Sequence, residues 1–438
     1  MSSPHHRAVQ ARPGQVLRNP KIWIFPSVVV GLVVLLLTLF YMGGILDPQG
    51  DLHHMPIGLV NADRGAVVAG RPVNLGLQVT SGIAAAPDPG HQVSWRQLDQ
   101  AAAQQQLDSG KLYGVLEVPN GFTASVAALG STSAQPPKRP TIIVLTNPGV
   151  GSLASSLASS ISQQTARQAS LQLGRSLTAL APTPPGGATS AARLLLADPV
   201  TVSVQVGHPI GAHSGLGLTA FYYTLLLVLS GFMGGNIISN AVDVALGYAD
   251  SELGPWHSRR PVVPISRTRT LLVKWVMSVA ISALTSSLII LGAVAILGMD
   301  ASHIPLLWVF SFCASATVGL GVQAINAAFG GIGQLVSMFV FVVLSLTSSG
   351  ATIPLQAVPA FYRWLAVFEP MRQLSGGVRA ILYFDARADA GLTRAWVMIC
   401  VGAVVGLVFG LAMTTYYDRK GLHRLVPQAV PVSAEAAG

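Results

Sequence analysis

The chain alternates between long uncharged stretches and one long segment whose apolar runs are short. The uncharged stretches are residues 22–46, 216–241, 275–297, 304–329, 331–353 and 395–417. A membrane-spanning helix needs about 20 apolar residues, because inside lipid every backbone N–H and C=O must find its partner within the chain. The pattern therefore predicts six transmembrane helices.

The boundary between the fourth and fifth stretches is the least marked. No charged residue separates them, and only the segment NAAFGGIG, from Asn326 to Gly333, predicts a tight turn. A five-span alternative would put the two termini on opposite sides of the membrane.

Charged flanks predict the orientation. Four basic residues precede the first stretch, whereas Asp47 and Asp51 follow it, and basic flanks are retained on the cytoplasmic side. The tail 1–21 is therefore predicted to be cytoplasmic. Six spans return the tail 418–438 to the same side, in agreement with its basic residues Arg419, Lys420 and Arg424. We expect a multi-pass protein of the plasma membrane.

Residues 47–215 are predicted to form a soluble α/β domain outside the cell, inserted between the first two spans. Short runs rich in β-branched residues predict strands at Met55–Asn61, Leu112–Val118, Pro140–Thr146 and Thr201–Val206. Helices are predicted from Ser94 to Gly110 and from Val150 to Pro182. The fold class is thus an α-helical membrane protein that carries one extracytoplasmic α/β domain.

Composition supports the membrane assignment. The chain is 51% hydrophobic and 10% charged, with a mean hydropathy of +0.55. Its net charge of +9 does not indicate nucleic-acid binding. The predicted cytoplasmic segments hold 12 of the 26 Lys and Arg residues but only 5 of the 17 acidic residues, a bias that orientation and anionic lipid explain.

The predicted cytoplasmic loop, residues 242–274, has an unusual order of motifs. An acidic start and a Gly-Pro break lead to Pro-Ile-Ser-Arg and a basic helix. This order resembles that of ABC-2 type permeases, and the matching residues are Glu252, Gly254, Pro264, Ile265, Ser266, Arg267 and Lys274. The resemblance implies that the loop contacts a separate ATP-binding subunit. Taken alone, the loop is equally consistent with attachment to anionic headgroups, at about 1 kcal/mol per basic residue.

A second resemblance covers about half of the outer domain. Its motifs are GLVNADRG (Gly58–Gly65), VNLG (Val73–Gly76), Trp95, GKLYG (Gly110–Gly114), Val118-Pro119 and Gly121-Phe122. They are similar to motifs of the YhgE/Pip and DUF3533 membrane proteins, which also place one large external domain after the first of six spans. The alternative for Asn61–Gly65 is a plain turn after a strand, since Asn and Asp bond to their own backbone and Gly takes positive φ.

The predicted external loop, residues 354–394, resembles the re-entrant segment of ABC-2 permeases. Pro370 and Arg379 occupy the matching positions, and Glu369 is predicted to pair with Arg372 or Arg379. Aromatic residues between 361 and 368 are expected at headgroup depth. The resemblance implies an external gate formed by Glu369, Pro370 and Arg379, whereas the residues alone favour an interfacial anchoring helix.

Three polar residues share one face of the second span. Asn236, Asn240 and Asp243 recur at i, i+4 and i+7. They form either a polar lining of a substrate path or hydrogen bonds between helices, worth about 0.6 kcal/mol each.

Missing motifs reduce the number of functional classes that fit the sequence. No G-x-x-x-x-G-K-[ST] motif occurs, so an ATP-driven activity requires another subunit. No span carries a charged residue at its centre, which disfavours a proton-driven exporter. No catalytic constellation, metal site or cofactor motif is evident, and an enzyme is not predicted.

The sequence therefore predicts an ABC-2-type export permease for an amphiphilic or cell-envelope substrate. We expect a homodimer in contact with membrane lipids and a separate ABC ATPase subunit. The alternative is a scaffold or receptor that transports nothing and acts through its external domain.

Overall fold

The computed structural model describes residues 20–43, 46–68, 70–129, 139–180, 197–344, 350, 352–422 and 424. Most of the predicted cytoplasmic tails and residues 345–349 of the predicted fifth span lie outside the described residues.

A five-stranded sheet organises the α/β domain. After helix α1 (Pro20–Met42), the described elements of the domain are β1 (Met55–Asn61), β2 (Ala66–Val68), β3 (Arg71–Val73), α2 (Leu75–Ala85), β4 (Val93–Leu98), α3 (Gln100–Leu107), β5 (Gly114–Val118), α4 (Phe122–Ala128), β6 (Thr141–Thr146), α5 (Ser152–Leu180) and β7 (Thr201–Val206). The strand order is β4-β1-β5-β6-β7, and β2 pairs with β3 in a separate hairpin. The β5–β6 pair is antiparallel, whereas the other neighbours in the large sheet are parallel.

The central strands are buried because helices cover both faces. All five residues of β5 are buried, as are six of the seven residues of β1. One face packs Leu59, Leu116 and Phe122 against α5, and the other packs Val60 and Val115 against α3. Continuous apolar runs are typical of such two-sided burial.

The strands at Met55–Asn61 and Thr201–Val206 are confirmed with their predicted bounds. The helix predicted from Ser94 is wrong in its first part, because Val93–Leu98 forms edge strand β4. The helix begins only at Gln100, where the Asp99 side chain accepts a hydrogen bond from the N–H of Ala102.

The turn after β1 fastens two helices to the sheet. The Asp63 carboxylate is buried and accepts hydrogen bonds from the Thr123 hydroxyl and from the N–H groups of Gly76 and Thr123. The Asn74 side chain donates to the Asp63 carbonyl and caps α2 by accepting from the N–H of Leu77. The two Asn-containing motifs of the α/β domain therefore form one structural junction.

Seven helices make up the described remainder of the chain. They are α6 (Thr219–Ala245), α7 (Arg267–Ile290, continued by a π-helical turn at Leu291–Ile296), α8 (Ile304–Phe329), α9 (Gly333–Met338, continued by a π-helical turn at Phe339–Val343), α10 (Ala360–Phe368), α11 (Pro370–Tyr383) and α12 (Leu392–Arg419). A short hairpin of β8 (Ser251–Leu253) and β9 (Trp256–Ser258) separates α6 from α7. We call α6 to α9, α11 and α12 the helical bundle.

Four helical segments among the described residues are long and apolar enough to cross a membrane. They are Thr219–Ala245, Arg267–Ile296, Ile304–Val343 and Leu392–Arg419. Helix α1 has 23 residues, of which Ser27–Phe40 is a shorter apolar helix by the same measure. The protein is thus a membrane-type protein with an α/β region, and its total of six spans stays a prediction.

The segment Ile304–Val343 reverses direction at Gly330–Ile332. A Cβ on Gly333 would lie 2.6 Å from the Cα of Asn326, and a Cβ on Gly321 would lie 2.8 Å from the ring of Phe341. Twenty residues of straight helix would separate Gly321 and Phe341 by about 30 Å. The turn predicted between Asn326 and Gly333 is therefore present.

Helix α11 joins the α/β domain to the bundle. The ring of Phe384, just after α11, fits against Gly149, where a Cβ would lie 2.9 Å from the ring. His208 contacts the Asp108 carboxylate at 2.9 Å and the Tyr383 carbonyl at 2.8 Å. The Tyr383 hydroxyl in turn lies 2.5 Å from the hydroxyl of Thr219, the first residue of α6.

Glu117 provides a test of packing inside the α/β domain. Burial in β5 raises the pKa of this carboxyl above its ordinary value of 4.5, and Gln100 donates to it at 3.3 Å. The folded state then holds the proton more tightly than the unfolded state, so stability falls as pH rises through this range. We expect Glu117→Gln to raise the melting temperature at pH 7.5, with a smaller gain at pH 4. Equal gains at both pH values would contradict this account.

Candidate functional site

A cavity of about 1140 Å³ opens at the end of the bundle that lies away from the α/β domain. It lies between the last turns of α6, α8 and α12 and the first turns of α7. Its lining residues are Asn236, Ile237, Ser239, Asn240, Asp243, Tyr248, Arg267, Thr270, Leu271, Lys274, Asn326, Ala327, Gly330, Gly331, Gln334, Thr414, Gly421, Leu422 and Arg424. The predicted path residues and two residues of the predicted coupling motif thus lie in one cavity.

One carboxylate holds two cations in the wall of this cavity. Asp243 Oδ1 lies 2.9 Å from Lys274 Nζ and 2.6 Å from an Arg424 nitrogen, and a second Arg424 nitrogen donates to Oδ2 at 3.2 Å. The Lys274 side chain is only 8% exposed. Arg424 also stacks over the Tyr248 ring at 4.8 Å. Since a buried charge is costly without a partner, the three charged side chains stabilise one another.

The asparagines contribute a contact between α6 and α8. Asn326 Nδ2 donates to Asn236 Oδ1 at 2.8 Å, and Asn236 Nδ2 donates to the Phe232 carbonyl in its own helix. Asn240 is exposed and lines the cavity. The predicted polar face therefore contains both an interhelical hydrogen bond and lining groups.

The start of α7 is held by the end of α12. Ser266 caps α7 by accepting a hydrogen bond from the N–H of Arg269. The Asp418 carboxylate accepts from the N–H groups of Arg267 and Thr268 at 3.0 Å, which satisfies helix N–H groups that have no partner within α7. Arg267 Nε donates to the Leu422 carbonyl at 2.7 Å. The chain after α12 thus lies across the cavity mouth.

The remaining residues of the predicted coupling motif lie apart from the cavity. Glu252 is part of the β8–β9 hairpin, and Gly254 forms its turn with a φ of +60°. Trp256 is 79% exposed, and Pro264 is exposed in the extended segment before α7. The motif is thus divided between an exposed hairpin and the cavity wall.

The residues of the predicted external gate lie at the opposite end. The Glu369 carboxylate accepts hydrogen bonds from the N–H groups of Met371 and Arg372 at 2.7 Å each and so caps α11, with Pro370 as the first helical residue. Arg379 lies in α11 and donates to the Gly350 carbonyl at 3.5 Å. Helix α11 packs into the bundle core through Met371, Leu374 and Val378. In the preceding helix α10, Phe361, Trp364 and Phe368 are more than half exposed.

Three residues at or beside the cavity carry no motif that predicts their role. In the sequence Arg424 is only a basic residue of the tail, Asn326 is only the start of the turn that ends at Gly333, and Asp418 belongs to no motif. Asp418 is the first acidic residue after the last uncharged stretch, and this position could have singled it out in the sequence. The partner of Arg424 is 181 residues away along the chain, and only the fold reveals it.

The part of the chain that the structure describes contains no group of three or more His, Cys, Asp or Glu side chains that could hold a metal ion. A family model described as "Protein of unknown function (DUF3533)" matches residues 27–402. No curated protein and no solved structure matches the chain.

Proposed function

The chain belongs to the DUF3533 family, and we propose that it is a membrane permease that exports an amphiphilic or cell-envelope substrate. A separate ATP-binding subunit supplies the energy. The observation that carries this proposal is the large charged cavity enclosed by four apolar helices. Ionisable groups among apolar helices are rare and often mark a substrate path, and the Lys274 side chain is only 8% exposed. This favours a binding role for Asp243, Lys274 and Arg424 over plain anchoring.

The hairpin is the proposed docking element for the ATPase. It extends from the same end of the bundle as the cavity, and its residues Glu252 and Trp256 lie at an exposed surface. The extended segment after it leads directly into α7, whose first turns carry Arg267 and Lys274. A movement of the hairpin would therefore reach the cavity wall through a few residues.

In the proposed cycle, substrate enters the cavity from the cytoplasmic side and leaves on the side of the α/β domain. Alternating access takes place at the interface of a homodimer, and α11 with Glu369, Pro370 and Arg379 forms the outer gate. The external domain receives or guides the released substrate.

Reversing the charge of Glu252 tests the proposal. We expect Glu252→Lys to lower the export of a fluorescent amphiphile from preloaded cells about tenfold, because a wrong charge at an interface costs more than about 1.4 kcal/mol. A photoreactive amino acid in place of Trp256 is expected to cross-link to a protein that hydrolyses ATP.

The matched control is Asp51→Lys, which makes the same charge change beside the α/β domain and should leave export unchanged. Export that is equal in Glu252→Lys and wild-type cells, at equal protein levels, would contradict docking through the hairpin. Loss of export in both variants would point to a general effect of charge on the protein.

A further inference from the structure

The cavity wall carries more positive than negative charge. Its charged lining residues are the three cations Arg267, Lys274 and Arg424 and the single acid Asp243. Asp243 divides its carboxylate between Lys274 and Arg424, while Arg267 uses its Nε for a backbone carbonyl. The lining alone has an excess of two positive charges. Asp418, just outside the lining, accepts from the N–H groups of Arg267 and Thr268 and reduces this excess to one, which still favours an anionic ligand.

The inner part of the site holds polar atoms that lack partners. Ser239 Oγ, Asn326 Oδ1 and both side-chain polar atoms of Gln323 are buried without a hydrogen-bond partner among the described residues. Ser239 and Asn326 line the cavity, with Ser239 8% exposed and Gln323 only 1% exposed. Unpaired buried polar groups are rare and cost about 1–3 kcal/mol each.

Helix geometry relates these atoms to the charges. Gln323 precedes Asn326 by three residues on α8 and lies about one turn deeper in the bundle, outside the cavity lining. On α6, Ser239 precedes Asp243 by four residues and likewise lies one turn deeper. Arg267 and Arg424 are thus nearest the mouth, and Ser239 lies about one turn further in than Asp243.

The combination of cations and unpartnered polar atoms matches a headgroup that combines an anion with hydroxyl or amide groups. Guanidinium and ammonium groups bind phosphate oxygens through short charge-assisted hydrogen bonds, and a phosphate carries the one to two negative charges that the wall lacks. The volume exceeds the usual range of about 300–1,000 Å³ for small-molecule pockets. The apolar residues Ile237 and Leu422 at the lining are 63% and 52% exposed.

We propose that the cavity binds a phosphate-bearing polar headgroup, with Arg267 and Lys274 at the phosphate and Ser239 and Asn326 at its other polar groups. The proposal rests on the proposed function, because it names the substrate class of the same cavity. The phosphate can belong to a lipid or to a free phosphate ester.

Binding to the purified full-length protein in detergent tests the proposal without an ATPase. The probes are phosphatidylglycerol, glucosyl diacylglycerol, which has the same tails but no phosphate, and glycerol 3-phosphate. Native mass spectrometry is expected to show selective retention of phosphatidylglycerol. Displacement of the lipid by glycerol 3-phosphate would show that phosphate ester alone suffices. Retention without displacement would assign the site to lipid.

The variant Lys274→Gln should weaken phosphatidylglycerol retention about tenfold, as expected for loss of one charge-assisted contact. Lys274→Arg should retain binding. The matched control is Arg269→Gln, which removes an exposed charge from the same helix outside the cavity lining. Ser239→Ala leaves the ion cluster intact and removes an unpartnered hydroxyl from the cavity lining. It should also weaken binding, so it decides the matter if Lys274→Gln does not fold.

Equal retention of the two lipids together with no binding of glycerol 3-phosphate would overturn the proposal, as would equal losses in Lys274→Gln and Arg269→Gln. The outcome is separable from that for the proposed function. If export persists but binding does not depend on phosphate, only the proposed ligand class is wrong. If phosphatidylglycerol binds but export is absent, the binding site stands and the permease proposal is wrong.

Discussion

The variant Asp243→Ala is expected to destabilise the helical bundle by about 3 kcal/mol, because it leaves two cations without their shared counter-ion. Lys274 is the more affected partner, since its side chain is 8% exposed and its Nζ lies 2.9 Å from Asp243. The Arg424 side chain is 24% exposed and retains partial access to water. Tryptophan fluorescence during unfolding in mixed detergent micelles would measure the loss.

A second substitution separates charge from packing in this prediction. Adding Lys274→Met to Asp243→Ala removes the stranded cation and should recover more than half of the lost stability. Arg424→Gln alone should cost less than Asp243→Ala, because Lys274 then keeps the carboxylate. A double variant no more stable than Asp243→Ala would show that the three side chains do not act as one cluster.

The variant Asp63→Ala is expected to destabilise the α/β domain by about 3 kcal/mol. It removes three hydrogen bonds to one buried carboxylate and leaves the donors of Gly76 and Thr123 without that acceptor. The expected consequence is local, since these donors belong to the first residues of α2 and α4. Hydrogen exchange should therefore accelerate in both helices before it accelerates in β5.

The neighbouring exposed residue provides the control for Asp63. Arg64→Ala changes a charged side chain one position away without touching the junction and should alter stability by less than about 0.5 kcal/mol. Thr123→Val removes the hydroxyl that donates to Asp63 and accepts from the N–H of Leu75, and its effect should fall between the two. Similar effects of Asp63→Ala and Arg64→Ala would mean that the carboxylate does not hold the helices in place.

The α/β domain shows which parts of the fold a single sequence can reveal. Strands β1 and β7 were predicted with correct bounds, since their β-branched runs are bordered by turn residues. Strand β4 was missed because it is an edge strand with the exposed residues Arg96 and Gln97. Polar residues next to a cap-type Ser resemble a helix start, and only the pairing of β4 with β1 decides between the two.

The cavity shows the corresponding limit for the site. Helical spacing predicted that Asn236, Asn240 and Asp243 share a face, and the loop motif singled out Lys274. That these groups meet depends on contacts between distant helices and on a tail residue that folds back onto α6. Periodicity reports which face of a helix is polar, but not which helix it will meet.

The contacts at the C-terminal end of α11 have a mechanical consequence. Phe384 and His208 fix the end of this helix to the α/β domain, while the Tyr383 hydroxyl fixes it to the start of α6. A tilt of the α/β domain would therefore shift the first turn of α6 through the contacts of His208 and Tyr383. Because the far end of α6 carries Asp243, a large molecule that tilts the α/β domain would change the spacing of Asp243, Lys274 and Arg424 at the other end of the bundle.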